Sequence, residues 1–120
     1  MSWLDTGAIE KILRYMDVAA MREKLAVGNI ANIDTPGYKT QDINFHQALE
    51  RADQNLDAPP LPPQIEEPQG LIERPDGNNV SLDRETIVLA GVQLEYRTAI
   101  ALLRQEFQRI QMAINANNGA

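Results

Sequence analysis

The sequence of 120 residues contains no cysteine and only one histidine, His46. The absence of cysteine excludes disulfides, thiolate zinc sites and cysteine nucleophiles, and one histidine cannot build a multi-histidine metal site. Only two phenylalanines, three tyrosines and one tryptophan are present, so we do not expect a large compact core. No apolar run approaches the roughly 20 residues of a membrane span, and the N-terminal stretch lacks the pattern of a cleaved signal peptide. We therefore expect no cofactor and no direct membrane insertion.

Acidic residues outnumber basic ones by 17 to 11, which gives a formal net charge of −6. Such a charge disfavours nucleic acids and anionic membranes as partners. The excess lies in residues 41–80, which hold eight acids and two bases, whereas 1–40 and 81–120 are each balanced. Six of the seven prolines lie within 59–75. We expect this acidic, Pro-rich middle to be extended or mobile, either as a surface linker or as an ordered stretch that binds a partner.

Apolar residues recur at helical spacing at both ends of the chain. A helix is predicted from about residue 5 to 33, with Asp5 as its N-cap and Pro36 as its stop. A second helix is predicted from about 81 to 115, with Ser81 as its N-cap. Seven of eight heptad positions are apolar in each helix: Ile9, Ile12, Met16, Ala19, Ala26, Ile30 and Ile33 in the first, and Leu89, Val92, Tyr96, Ala99, Leu103, Ile110 and Ala113, flanked by Phe107, in the second.

These patterns predict a mainly α fold in which two long terminal helices pack as an antiparallel, coiled-coil-like pair. An extended, Pro-rich middle with little or no sheet joins them. Within it, residues 45–56 could form a short helix, and 38–44 look extended. The chain thus divides into an N-terminal helix (1–35), a connecting region (36–80) and a C-terminal helix (81–120), and the two ends form one structural unit.

Each predicted helix also carries a second apolar stripe. Its members are Val18, Met21 and Leu25 in the first helix, and Ile87, Leu94 and Ala101 in the second. A helix that is apolar on two sides usually has two neighbours, although short apolar residues also scatter on surfaces.

Carboxylates also occur in and beside these stripes. Glu23 and Glu106 interrupt the main stripes, so each should meet a base or stay in water. The candidate bases are Arg22, Lys24, Arg104 and Arg109. Asp83 and Glu85 are expected to stabilise the first turn of the second helix through its dipole.

Residues suited to catalysis are few. Ser81 is better explained as a helix cap, and His46 lies in a polar stretch where we expect it to be exposed. Glu66 and Glu67 adjoin prolines and are expected to be solvated rather than to act as a paired acid and base. No Gly-rich phosphate loop is present. We therefore expect the protein not to be an enzyme.

Residues 26–45 carry the most specific motif of the chain, AVGNIANIDTPGYKTQDINF. Pro36 followed by Gly37 is the pairing of a type II turn, which takes the chain from helix to extended backbone. From physics alone this is an ordinary helix stop. The stretch nevertheless resembles the signature of the flagellar rod and hook axial protein family. The matching residues are Asn29, Ile30, Ala31, Asn32, Thr35, Pro36, Gly37, Tyr38, Lys39 and Phe45.

A second match runs from Asp76 to Glu85 (DGNNVSLDRE) and continues through the following helix as far as QLEYR at 93–97. Within the family, this segment is similar to that of a small proximal rod subunit. The sequence departs from the family pattern at two positions. Gly28 stands where alanine or asparagine is usual and weakens the helix by about 1 kcal/mol. Ser81 replaces the more usual aspartate, which keeps the cap.

The resemblance implies a structural subunit of the proximal rod of the bacterial flagellar basal body. Such a subunit polymerises through its terminal helices, transmits torque and forms the export channel, after export in the unfolded state by the type III apparatus without a cleaved signal. The implied partners are other copies of the chain, other rod subunits, the MS-ring protein, the rod adaptor protein and the export gate. The residues expected to pack subunits together are Ile9, Ile12, Met16, Met21, Leu25, Ile30, Leu89, Leu94, Tyr96, Leu103, Phe107 and Ile110.

Two alternatives stay open at this point. The nearer one is another small rod subunit of the same family, against which the Asp76–Glu85 segment argues. The further one is a cytoplasmic helical adaptor or secretion chaperone, which should form a stable, folded dimer when expressed alone.

Overall fold

The computed structural model describes residues 6–118 of the chain. Its elements in chain order are α1 (Thr6–Ala31), β1 (Asp42–Ile43), α2 (Phe45–Asp53), β2 (Ile65–Glu66) and α3 (Leu82–Asn118). The predicted mainly α fold is confirmed, with the two long helices within three residues of their expected ends. The short middle helix ends three residues before its expected limit. The predicted cap Asp5 lies outside the described residues.

Local chemistry explains where the helices begin and end. The hydroxyl of Ser81 accepts a hydrogen bond from the backbone N–H of Arg84 at 3.2 Å, so it caps α3 as predicted. Asn44 caps α2 in the same way, by accepting from the N–H of Gln47 at 3.0 Å. At the end of α1, the N–H of Asn32 bonds to the carbonyl oxygen of Gly28 at 3.1 Å, and Pro36 then prevents further helix.

Helices α1 and α3 pack antiparallel, with Asn29 near the end of α1 beside Glu85 in the first turn of α3. Small and β-branched residues fill the interface and let the backbones approach closely. They are Ala19, Ala26, Val88 and Val92, with Leu89 and Tyr96 packed against them. This cluster is the first of two small cores.

The second core lies on a different face of α1, where α2 and β1 cover it. It contains Val18, Ile43, Ala48 and Ala52, with Met21, Leu25, Phe45 and Leu49 packed against them. The second apolar stripe of α1 therefore has its neighbour within the same chain. The two short strands pair antiparallel beside it, with Asp42 opposite Glu66 and Ile43 opposite Ile65.

The molecule is a rod-like body of 72 × 26 × 19 Å, because α3 is longer than its partner. Counting along both helices from the Asn29–Glu85 contact places residue 6 beside about residue 108, given equal rise in each helix. Roughly the last ten residues of α3, which we call the overhang (109–118), thus extend past α1. By length and composition alone α3 could span a membrane, contrary to the expectation that no segment approaches a membrane span. Most of its apolar surface is exposed.

Candidate functional site

The two motifs that stood out in the sequence meet in space. The end of α1 and the turn after it (28–42) lie against the segment that leads into α3 (74–85), and we call this junction the corner. The N–H of Gly37 donates to the carbonyl oxygen of Asp76 at 2.9 Å, across 39 positions of sequence. Each of the two sequence motifs thus forms one side of the corner.

Asn29 is fully buried at the centre of the corner and makes four hydrogen bonds. Its side-chain nitrogen donates to the backbone carbonyl of Gln41 at 2.8 Å and to Glu85 Oε1 at 2.7 Å. Its side-chain oxygen accepts from the Tyr38 hydroxyl and from the Gln41 N–H, both at 3.0 Å. An amide has two donors and one oxygen with two lone pairs, so Asn29 is saturated.

The turn at Thr35–Tyr38 has the predicted type II features. The Tyr38 N–H donates to the Thr35 carbonyl at 3.2 Å, and Gly37 has a φ of 76°, which L side chains rarely adopt. Gly77 on the facing segment also has a positive φ, of 86°, and a Cβ there would lie 3.3 Å from the Cα of Gly37. Both this close approach and the positive φ favour glycine at position 77.

Asn78 ties the facing segment to the turn. It is fully buried, and its side-chain nitrogen donates to the carbonyl oxygens of Asn32 and Thr35, both at 2.9 Å. Arg74 donates to the carbonyl of Val80 at 2.9 Å and to that of Ile33. Three of these acceptors, the carbonyls of Asn32, Ile33 and Thr35, lie in the turn that follows α1, so the bonds fix that turn against the facing segment.

A charged cluster adjoins the corner. Asp42 lies between two guanidinium groups, 3.1 Å from Arg22 Nε and 2.6 Å from a terminal nitrogen of Arg84. Burial by itself raises the pKa of Asp42, but the hydrogen bonds from Arg22 and Arg84 outweigh it and hold the pKa below its ordinary value. Arg84 also pairs with Glu85 at 2.9 Å. The side chain of Glu85 is only 1% exposed, and the positive charge of Arg84 compensates its buried carboxylate.

Glu85 lies in the first turn of α3, as predicted. The sequence did not indicate that its side chain is buried in the corner. Burial, and then the charge of Glu85, raise the pKa of the neighbouring Tyr38 hydroxyl. The sequence motifs contained Asn29 and Asn78 without any sign that both are fully buried. Asp42 and Arg14 were not singled out as buried or bonded residues, and Arg22 was expected to meet a carboxylate of the main stripes rather than Asp42.

The residues expected to pack subunits fall into three groups in this chain. Met21 and Leu25 contact the second core on the α2 side. Leu94 and Phe107 are exposed, at 65% and 58%. The remaining members are half-buried along the two long helices: Ile9, Ile12, Met16, Ile30, Leu89, Tyr96, Leu103 and Ile110.

An apolar surface remains on the side of α3 that faces away from α1. Helical geometry places Ile87, Leu94, Ala101 and Met112 within about 40° of one another there, given 100° per residue. We call these four residues the outward stripe. All four are exposed, and in the overhang Ile114 is exposed as well. Glu106, which interrupts the main stripe, meets Arg109 at 3.0 Å, one of the expected bases.

Groups suited to chemistry are scattered among the described residues. His46 is an exposed side chain that lies 3.0 Å from Glu50 on the same helix. Across residues 6–118, no group of three or more histidine, aspartate or glutamate side chains could hold a metal ion. The corner satisfies its hydrogen bonds within the chain, so the exposed apolar surface of α3 is the feature suited to recognition.

Comparison with known proteins gives consistent matches. No family model matches the sequence. Among curated proteins, the flagellar basal body rod protein FlgB of Aeromonas hydrophila is 31% identical over 115 residues, covering 82% of this chain and 86% of the relative. FlgB of Escherichia coli K12 is 28% identical, over 86% of this chain and 89% of the relative. FlgB of Bacillus subtilis 168 is 25% identical, over 92% and 95%.

Proposed function

This chain belongs to the FlgB family of flagellar basal body rod proteins, and we propose that it polymerises through its terminal helices into the proximal rod. In that role the N-terminal helix (1–35) and the C-terminal helix (81–120) form the axial unit, and 36–80 connects them. Family membership favours a FlgB-type subunit over another small rod subunit, and a structural subunit over a cytoplasmic adaptor.

The observation that carries the proposal is the contrast between the two faces of α3. One face is buried against α1 through Val88, Val92 and Ala99, whereas Leu94 and Met112 on the other are 65% and 71% exposed. Burial of apolar surface contributes about 25 cal/mol per Å², so a neighbour over this face would stabilise the assembly substantially. A head-to-tail contact of this kind extends a filament because it need not close on itself.

Several finer roles follow from the same proposal. A tube of such helix pairs would transmit torque and line the export channel. The partners would be further copies of the chain, other rod subunits, the MS-ring protein, the rod adaptor protein and the export gate. The chain would reach the rod unfolded, through the type III apparatus and without a cleaved signal. An extended subunit with small cores suits delivery in the unfolded state, because little internal structure has to be rebuilt after delivery.

Cysteine accessibility tests the proposal directly, because the native chain has no cysteine. Leu94→Cys should react with a water-soluble maleimide in the purified chain and be protected in isolated basal bodies. Ile72→Cys is the control, since Ile72 is 87% exposed and lies in the connecting region. Equal labelling of both cysteines in basal bodies would show that the outward face of α3 stays open and would refute polymerisation through it.

A further inference from the structure

Residues 58–63, with the sequence Ala-Pro-Pro-Leu-Pro-Pro, form a segment that we call the strap. Each of its residues is either a proline or precedes one. Proline fixes φ near −65°, and a residue before proline is driven to the β or polyproline II region. The strap contains no helix or strand. Its covalent structure therefore imposes an extended polyproline II conformation without help from hydrogen bonds.

The strap begins at a fixed point on the body. Arg14 of α1 is only 4% exposed, and its guanidinium donates to four backbone carbonyl groups that lead into the strap. The acceptors belong to Ala52, Asn55 at 3.2 Å, Leu56 at 3.3 Å and Ala58 at 2.6 Å. A stiff segment held at its start loses little conformational freedom when it binds a partner.

Packing within the chain does not account for the strap. Pro59, Pro60 and Pro62 are exposed, and Leu61 is 45% exposed. The strap borders a half-open cleft of about 200 Å³ that Val18, Met21 and Ala52 also line, and the strap does not fill this cleft.

The strap lies on the flank of α1 that is away from α3. It adjoins Arg14 and Val18, whereas Ala19 and Ala26 face α3. At 100° per residue these two faces of α1 are separated by roughly a third of a turn. The strap and the outward stripe of α3 therefore lie on different flanks of the molecule.

We propose that residues 58–63 are a polyproline II ligand for a partner protein that has an aromatic-lined groove with a basic rim. Three residues per turn place Pro59 and Pro62 on one ridge of the strap, the P-x-x-P spacing that such grooves accept. The basic rim follows from charge, because Asp57, Glu66 and Glu67 flank the strap and are all exposed. This partner is additional to the rod contacts, since it uses a different flank of the molecule.

The first test measures the competence of the strap as a ligand. The ¹⁵N-labelled full chain is titrated with a recombinant WW domain, an aromatic-grooved receptor for Pro-rich segments, selected for lysine or arginine beside its groove. Chemical-shift changes should be confined to residues 57–67 and should weaken as salt is raised. Pro59→Ala/Pro62→Ala should weaken binding at least tenfold, whereas the control Pro68→Ala/Pro75→Ala should change it less than twofold. No shifts at millimolar WW domain, or equal loss in both double variants, overturns the proposal.

The second test is made in cells, with a photo-crosslinking residue at position 61 or 94. Position 61 should capture a protein that is not a rod subunit, and Pro59→Ala/Pro62→Ala should abolish this adduct while rods still assemble. That captured protein, once purified, should shift the same residues 57–67 of the labelled chain. Adducts only to rod subunits, or loss of rods in the double variant despite an unchanged circular dichroism melt, contradicts the proposal. Crosslinking at position 94 reports on polymerisation. The proposal for the strap and the proposal of polymerisation can therefore be refuted independently.

Discussion

At one end of the helix pair the chain buries polar groups, and at the other end it leaves apolar groups in water. The corner holds Asn29, Asn78 and Glu85, each almost completely buried and hydrogen-bonded within the chain. The overhang carries Met112 and Ile114, which are exposed. The corner is complete in one molecule, whereas the overhang would be covered only by the neighbouring subunit that we propose.

One small chain thus separates two physical requirements, geometry and association. Buried polar groups demand particular partners, so they determine the angle and register at which α1 meets α3. Exposed apolar groups demand only a surface of suitable shape, so they supply association energy. A substitution in the corner should therefore lower the stability of the isolated chain, whereas a substitution on the outward stripe should weaken the assembly of subunits.

Asn29→Ala should have the largest effect on the isolated chain. It removes four hydrogen bonds and strands the Tyr38 hydroxyl and both backbone groups of Gln41. Only the bond to Glu85 is fully buried, because Tyr38 is half-buried and Gln41 is exposed. Leaving a buried polar group unpaired costs about 1–3 kcal/mol, so we expect a loss of about 1–3 kcal/mol in the free energy of unfolding. Urea denaturation measures this. Asn117→Ala, at an exposed position of α3, is the control and should be neutral; a loss below 1 kcal/mol at Asn29 would mean that the corner does not hold the helices.

Leu94→Glu should abolish rod assembly while leaving the isolated chain intact. Leu94 is exposed in the monomer, where a carboxylate is solvated. Against a neighbouring subunit the same carboxylate would lose its water without gaining a partner, at a cost of several kcal/mol. We expect normal expression, export and helical content, but no completed rod and no swimming. The adjacent Gln93→Glu, also exposed, should be milder. Normal swimming of Leu94→Glu cells would mean that the outward stripe is only scattered surface leucine.

Gly37→Val should destabilise the corner by about 1–2 kcal/mol, the cost of placing a side chain in left-handed backbone. Space is not the cause, because a Cβ at this position would meet no atom within 4 Å. The midpoint temperature of thermal unfolding should fall, and motility should fall while export continues.

Gly28→Ala is the matched control, and the expected change in stability has the opposite sign. It lies within α1, again with no atom within 4 Å, and alanine should stabilise a helix there by about 1 kcal/mol. A secretion defect in Gly37→Val would instead indicate that the export machinery reads the turn.

Glu95→Gln should have the smallest effect, a gain below about 1 kcal/mol near pH 7. Glu95 Oε2 is buried without a hydrogen-bond partner, and burial raises the pKa of this carboxyl. When the pKa of a carboxyl group is higher in the folded state than in the unfolded state, its charged form destabilises the folded state. The advantage of glutamine should therefore be present above that pKa and disappear as the pH falls to about 4.3, the ordinary glutamate value. A pH series of melts for both proteins checks this; a constant difference across the series would assign the gain to packing.

Features that depend on neighbouring residues in the sequence were predictable. The Ser81 cap needs only a hydroxyl three residues before a free N–H, and the turn needs only Pro36 before Gly37. The long helices follow from apolar periodicity, which reports each helix's own buried face. For the same reason the second stripe of α1 could be predicted to have a neighbour.

What covers that stripe was not predictable, because α2 docks onto Val18 through contacts about 30 positions away in sequence. The burial of Glu85 depends likewise on Asn29, 56 positions earlier. A sequence pattern records the face a helix buries, but it does not record which distant side chain will meet a given polar group. The corner was therefore visible as two separate motifs and not as one site.

The close approach of Gly37 and Gly77 has a consequence for the order of folding. Bringing together glycines 40 positions apart requires closing a loop, and the entropy of that closure is lost before any hydrogen bond of the corner is gained. Contacts of high sequence separation form slowly, whereas the docking of α2 on α1 is more local and can come first. The C-terminal end of α1 thus obtains its final hydrogen-bond partners only when Asn78 and Glu85 arrive. A chain that emerges from a pore N-terminus first would keep the angle between its two long helices undecided until its last third is free.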